Sequence, residues 1–276
     1  MKLKLKYFFS NCLALLYLLN NNITESKRTL KNRNNADSEI HLVLGAGCSS
    51  IISDYYWNYN DDYDDNFPIG IIINGEEKEY DGSVLCFEGD KNYITLKYNV
   101  QIKSCSYMFS YVDNIIEIDL SYFDMSQVED MLYMFEGCTN LESVDLSNSN
   151  ISNITYMNDI FYGCTNLKYI NLTNINLAYI KDISYLFSNC ESLESVDLSN
   201  SNISDITYMN DIFSGCTNLK YVNFSNINLS SAKNISNLFY NCKSLESIDL
   251  SNRDFSKVKY ISNMFGGCTN LKYVNF

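Results

Sequence analysis

Cysteine and phenylalanine recur in this chain at a fixed interval of 26 residues. Cys138, Cys164, Cys190, Cys216, Cys242 and Cys268 form one file, and Phe109, Phe135, Phe161, Phe187, Phe213, Phe239 and Phe265 form another. Neither slips by a residue. A strict period of about 20–50 residues predicts stacked repeats, each too small to bury its own apolar face and each covered by its neighbours. Function in such a chain is sought on an extended surface rather than in a buried pocket.

The apolar skeleton inside one period predicts the shape of each coil. In the copy that starts at Cys138, Leu141, Val144 and Leu146 follow a strand-like L-x-x-L-x-L pattern. Ile151 and Ile154 come next. Met157, Ile160 and Phe161 then fall at the spacings of three and four that one helical face requires. A short helix is expected between about Thr155 and Tyr162. The column after it reads Gly137, Gly163, Asn189, Gly215, Asn241, Gly267. Glycine and asparagine are the residues that tolerate the left-handed position ending a helix.

Seven strand segments, ending on Leu120, Leu146, Leu172, Leu198, Phe224, Leu250 and Phe276, are expected to form a parallel sheet, with a spacing of about 4.8 Å. The expected class is therefore an α/β leucine-rich-repeat solenoid with strands on one face and short helices on the other. The sequence stops on the seventh strand without a polar terminal repeat. That predicts an open end met by a partner or a second copy, or a chain that is a fragment.

A second period of 52 residues is superimposed on the first. One column runs Glu142, Lys168, Glu194, Lys220, Glu246, Lys272. The next runs Ser143, Tyr169, Ser195, Tyr221, Ser247, Tyr273, and another runs Asp145, Asn171, Asp197, Asn223, Asp249, Asn275. In a parallel stack each residue sits beside its equivalent, so a column of like charges repels. Alternation sets Glu beside Lys and separates each Asp from the next by Asn. Duplication of a two-repeat unit produces the same pattern.

Residues 1–19 resemble a secretory signal: Lys2, Lys4 and Lys6 precede an apolar run from Tyr7 to Leu19. That run is shorter than the roughly 20 residues of a membrane span, so no transmembrane segment is expected. Residues 20–38 are polar and aperiodic and read as a linker. Residues 39–103 read as a small β-rich module placed where a solenoid needs an N-terminal cap. Strand candidates there are Ile40–Leu44, Ile69–Ile73, Glu76–Tyr80, Val84–Phe87 and Tyr93–Tyr98, with Asn74-Gly75 supplying a tight hairpin turn. An acidic aromatic run from Asp54 to Asp65 lies between them and is expected to be a solvated loop. The repeats take residues 104–276.

The net charge of −13 argues against nucleic acid, which needs a basic footprint, and against anionic lipid. No catalytic constellation is present: His41 stands alone, and neither a nucleophile elbow nor a glycine-rich phosphate loop occurs. No enzyme activity and no cofactor are expected. Zinc needs four ligands converging on a point, so a row of cysteines is expected to be a reduced, buried ladder. Parallel Cβ vectors about 4.8 Å apart also lie too far from one another for disulfides. Calcium gathers six to eight oxygens, and asparagine interrupts the Asp145/Asp197/Asp249 column. Cys48, Cys86 and Cys105 are the better disulfide candidates, with one left unpaired. Asn-x-Ser/Thr sequons begin at Asn22, Asn150, Asn153, Asn171, Asn202, Asn223, Asn228 and Asn234.

The stretch Met134-Phe135-Glu136-Gly137-Cys138-Thr139-Asn140-Leu141-Glu142-Ser143-Val144-Asp145-Leu146-Ser147 resembles the M-F-x-x-C-x-x-L-x-x-L-D-L-S core of BspA-like leucine-rich repeats. These occur in bacterial surface proteins, Mycoplasma lipoproteins and protists. Ser121 to Val128 is similar to that family's continuation, from which later copies depart. The resemblance spans residues 104–276. It implies a right-handed solenoid, secreted or on a cell surface, with adhesion or protein-binding roles. It carries over no catalytic residue.

The outward strand positions are the expected contact surface: Ser143, Asp145, Tyr169, Asn171, Ser195, Asp197, Tyr221, Asn223, Ser247 and Asp249. A tyrosine-rich face with small polar neighbours suits a protein or glycan ligand on another cell. A structural spacer that self-associates through its open end is the alternative.

Overall fold

A computed structural model describes residues 38–59, 68–172, 175–199, 203, 205–225 and 227–276. The signal-like segment, nearly all of the linker, and residues 60–65 of the acidic aromatic run lie outside the described residues. Ser38–Phe276 forms one compact unit.

The first strands are β1 (Ser38–Leu44), β2 (Gly47–Ser49), β3 (Gly70–Ile73), β4 (Glu76–Lys78), β5 (Leu85–Phe87) and β6 (Asn92–Tyr98). Asp54–Tyr59 forms helix α1 where a loop was expected, and it is the one α-helix among the described residues. Asn74 and Gly75, both at positive φ, join β3 to β4 as the Asn-Gly turn requires. β2 and β5 pair antiparallel with Cys48 opposite Cys86, and the two form a disulfide. Cys105 is buried and reduced.

Seven repeat strands follow: β7 (Ile115–Asp119), β8 (Ser143–Asp145), β9 (Tyr169–Asn171), β10 (Ser195–Asp197), β11 (Tyr221–Asn223), β12 (Ser247–Asp249) and β13 (Tyr273–Asn275). One sheet runs β4-β3-β6-β1-β7-β8-β9, antiparallel as far as β7 and parallel beyond it. β1 thus pairs with the edge of β7 that no earlier coil occupies, with His41 opposite Asp119 and Leu42 opposite Ile118. Tyr98 of β6, fully buried, packs edge-on against Phe123 of the first coil at 5.4 Å.

Inside the coils the phenylalanine file is a continuous stack. Phe109 to Phe265 lie with successive ring centroids 5.4–5.8 Å apart and planes within 11° of parallel. Each stacked pair of this kind adds about 0.5–1.5 kcal/mol beyond its buried area.

The expected short helices on the opposite face are absent, and the hydrogen bonding explains why. A helix over Thr155–Tyr162 would turn each N–H back to its own chain four residues earlier. Instead Met157, Asp159, Phe161 and Gly163 donate to Asp182 O, Ser184 O, Leu186 O and Ser188 O of the next coil at 2.9–3.1 Å. Asp159 and Gly163 have φ of 60° and 73°, which no right-handed helix accommodates. Spacings of three and four still place Met157, Ile160 and Phe161 inside, all buried, because successive tight turns return side chains to one side much as a helix does. The Gly/Asn column is left-handed in every copy, but it closes a turn rather than a helix. Among the described residues the structure is therefore a β-solenoid with almost no helix.

A second ladder lies on another side of the coil. Isolated parallel bridges link Ser104 to Asp130, and then run Tyr156–Asp182–Tyr208–Asn234–Tyr260. Backbone pairing on two sides and a ring stack between them hold successive coils in register.

Candidate binding surface

Each repeat strand from β8 onward is three residues long. The central residue faces inward: Val144, Val196, Val222 and Ile248 are 2–4% exposed. The two flanking residues face outward, and they are the positions expected to make contact. Tyr169 and Tyr221 are 41% and 38% exposed, whereas Ser143 and Ser195 of the coils before them are partly covered. Ser195 lies directly beside Tyr221 in register, as Ser143 does beside Tyr169. Burial and then the carboxylates of Asp197 and Asp249 push the Tyr221 hydroxyl above its usual range, so the ring stays neutral.

The acidic column has a structural task that its residue types alone did not reveal. Asp145, Asp197 and Asp249 each accept the backbone N–H two residues on, from Ser147, Ser199 and Ser251, at 2.8 Å. Asn223 does the same for Ser225 at 3.0 Å. These are Asx-turns that bend the chain away from the sheet at each strand end. The signal was present as Asp or Asn placed two residues before serine. Asn171, Ser247 and Asp249 remain on the outer face.

Ion pairs border this face. Lys168–Glu142, Lys220–Glu194 and Lys272–Glu246 close at 3.1, 2.8 and 3.1 Å. Strand pairing groups β10 with β11 and β12 with β13, and each of these groups carries one ion pair. The 52-residue period is thus visible in both charge and backbone pairing.

The cysteine ladder lies inside. Cys138, Cys164, Cys190, Cys216 and Cys242 are fully buried and reduced, and Cys268 is partly covered. Each thiol donates to the backbone oxygen of a phenylalanine 29 residues earlier, from Cys138 to Phe109 at 2.9 Å through Cys268 to Phe239 at 2.9 Å. Burial raises every one of these thiols above its usual range, which keeps it protonated and chemically quiet. Among the described residues no group of histidine, cysteine or carboxylate side chains is arranged to hold a metal ion.

A second exposed surface was not anticipated. Tyr55 of α1 lies 6.5 Å from Tyr107 and 5.7 Å from Tyr111, and Tyr107 stacks on Tyr133 at 4.9 Å. Tyr111 donates to Glu136 Oε1 at 3.0 Å. Tyr107, Tyr111 and Tyr133 occupy repeat columns that in most other coils hold Asp, Asn or Gly, with Tyr185 as the exception, a departure legible only once the columns are aligned.

A family model described as "Mycoplasma protein of unknown function, DUF285" matches residues 89–195 and again 164–274. Together the two matches span well over half of the sequence. The chain belongs to this family. The overlapping double match to the Mycoplasma family fits a repeat that the model can enter at more than one copy. Curated proteins gave no match. Among solved structures, a chain in "Structure of the Toll - Spatzle complex, a molecular hub in Drosophila development and innate immunity" is similar at 20% identity and a TM-score of 0.35. That similarity covers 61% of this member of the Mycoplasma family and 24% of the Drosophila complex chain. No helix among the described residues is long and apolar enough to cross a membrane.

Proposed function

We propose that this protein is a non-enzymatic recognition or adhesion protein that binds a protein or glycan ligand across the outer face of β8–β12. One observation carries the proposal. Tyr169 and Tyr221 stand exposed on the repeat strands, each in register beside a serine of the preceding coil, and a tyrosine ring offers a large contact with few rotamers to lose. Tyr221 is flanked by two carboxylates and Tyr169 lies beside Asn171, which supplies hydrogen-bonding groups around each ring.

The place of action in this proposal is outside the cytoplasm, on a cell surface or secreted. The Cys48–Cys86 disulfide joins two exposed residues, a pairing that survives in an oxidising compartment. The M-F-E-G-C-T-N-L sequence at Met134–Leu141 and its recurrence support the narrower assignment to BspA-like repeats.

The test is a Tyr169→Ala/Tyr221→Ala variant, assayed with the wild type on immobilised host-surface proteins and on a glycan array. Loss of a wild-type signal at unchanged thermal stability supports the assignment. Retention of full binding removes the strand face from it. A self-associating spacer predicts light scattering that rises with concentration and no ligand on either surface.

A further inference from the structure

We infer that the tyrosine cluster formed by α1 and the first coils is a second binding site, built for a lysine- or arginine-rich segment of a protein partner. The site lies apart from the strand face and comprises Tyr55, Tyr107, Tyr111, Tyr133 and Glu136. Tyr55 and Tyr111 are 48% and 53% exposed, and their rings meet at 5.7 Å. Tyr107 and Tyr133 continue the patch as a stacked pair with planes 13° apart.

The backbone under three of these rings lies in a conformation that tyrosine disfavours. Tyr107, Tyr111 and Tyr133 have φ of 61°, 58° and 57°, the left-handed region that a bulky residue rarely adopts. Equivalent positions in other coils supply an internal control. The column of Tyr107 and Tyr133 continues as Asp159, Tyr185, Asp211, Asn237 and Asn263, and that of Tyr111 as Gly137, Gly163, Asn189, Gly215, Asn241 and Gly267. Asparagine, aspartate and glycine occupy this conformation at lower cost. The Tyr111 ring also lies across Gly137, where any Cβ would collide with it at 2.5 Å. The cluster holds three tyrosines against the local preference of the chain, and sites that retain such strain are commonly functional.

Charge chooses the ligand. Glu136 accepts from the Tyr111 hydroxyl, the Asp159 carboxylate acts on the Tyr133 hydroxyl, and Asp54 precedes Tyr55 on α1. Burial first, and then the Glu136 carboxylate at Tyr111 and the Asp159 and Glu136 carboxylates at Tyr133, raise both hydroxyls, Tyr111 to about 12. Neutral phenol rings beside carboxylates attract ammonium and guanidinium groups through ring quadrupole and Coulomb terms together. The chain as a whole, at −13, draws a basic partner and repels an acidic one.

The experiment titrates fluorescein-labelled oligolysine and oligoarginine peptides into the full chain and into a Tyr107→Asn/Tyr111→Gly/Tyr133→Asn variant. These replacements are residues that other coils carry, and they leave the net charge at −13. The variant is expected to bind about tenfold or more weakly, with a melting temperature equal to or above that of the wild type. Equal affinity overturns the site, and so does binding of neutral oligosaccharides with none of either peptide. Should the triple variant fail to fold, Tyr55→Ser decides: weaker peptide binding supports the site and unchanged binding ends it. Tyr169→Ala/Tyr221→Ala is expected to leave peptide affinity unchanged, so the two surfaces fail or stand separately.

Discussion

Lys220 Nζ lies 2.8 Å from Glu194 Oε2, and beneath them the Lys220 N–H donates to the Glu194 carbonyl of the neighbouring coil at 2.9 Å. Side chain and backbone thus mark the same inter-coil junction. Both partners are about half exposed, so water screens the pair and its net worth is small. Its value lies in which neighbour it admits. Lys220→Glu should lower stability by about 0.5–1 kcal/mol by setting like charges side by side, and Glu194→Lys with Lys220→Glu should recover most of that. Urea melts of the two variants check this. Equal losses in both would separate the charge from the register.

The buried thiols make stability fall in alkali. Burial raises the folded pKa of Cys138, Cys164, Cys190, Cys216 and Cys242, whereas the unfolded chain releases these protons near the ordinary value of 9.0. Above that value the unfolded state binds fewer protons than the folded one, so stability drops as pH rises. Each thiol contributes a slope of about 1.4 kcal/mol per pH unit. Urea midpoints at neutral pH and above pH 9 should differ steeply, and a variant with two of the five replaced by alanine should show a shallower slope.

Ladder thiols should also be unreactive while the chain is folded. Ellman's reagent should modify at most Cys268 quickly, since it alone of the six is partly exposed. Cys190→Ala removes both a buried group and the hydrogen bond to Phe161 O at 3.2 Å, and should cost about 1–3 kcal/mol. Rapid modification of several thiols in native buffer would contradict the interior position of the file.

The left-handed turn column should rank substitutions by φ and by space. Asn241→Gly should be close to neutral, and Gly163→Ala should cost about 1–2 kcal/mol for its φ of 73° alone. Gly215→Ala should cost more, because the added methyl also meets the Asn189 side chain. Thermal melts give the order directly.

Much of this fold was legible because the repeat period is a property of the chain itself. The strand positions, the inward residues and the Glu–Lys pairing all follow from column alignment. The helices did not, and the reason is specific. Met157, Ile160 and Phe161 satisfy a helical face and also a pair of tight turns, and side-chain spacing alone cannot say where the N–H of Asp159 points. Positive φ at Asp159 was the missing clue, hidden because its column holds Tyr, Asp and Asn rather than glycine. The strand-face tyrosines were visible as outward positions. The Tyr55 cluster was not, since it needs α1 brought against Tyr107 and Tyr111, a contact between segments some 50 residues apart.

The central claim is that each coil hydrogen-bonds to the next through Met157–Gly163 and its equivalents, with no helix between the strands. Scalar couplings across hydrogen bonds, measured by NMR on isotope-labelled protein, test it directly. The account predicts a coupling from the Asp159 amide nitrogen to the Ser184 carbonyl carbon, and from Phe161 to Leu186. Couplings from Phe161 and Tyr162 to carbonyls four residues earlier in their own coil would contradict it.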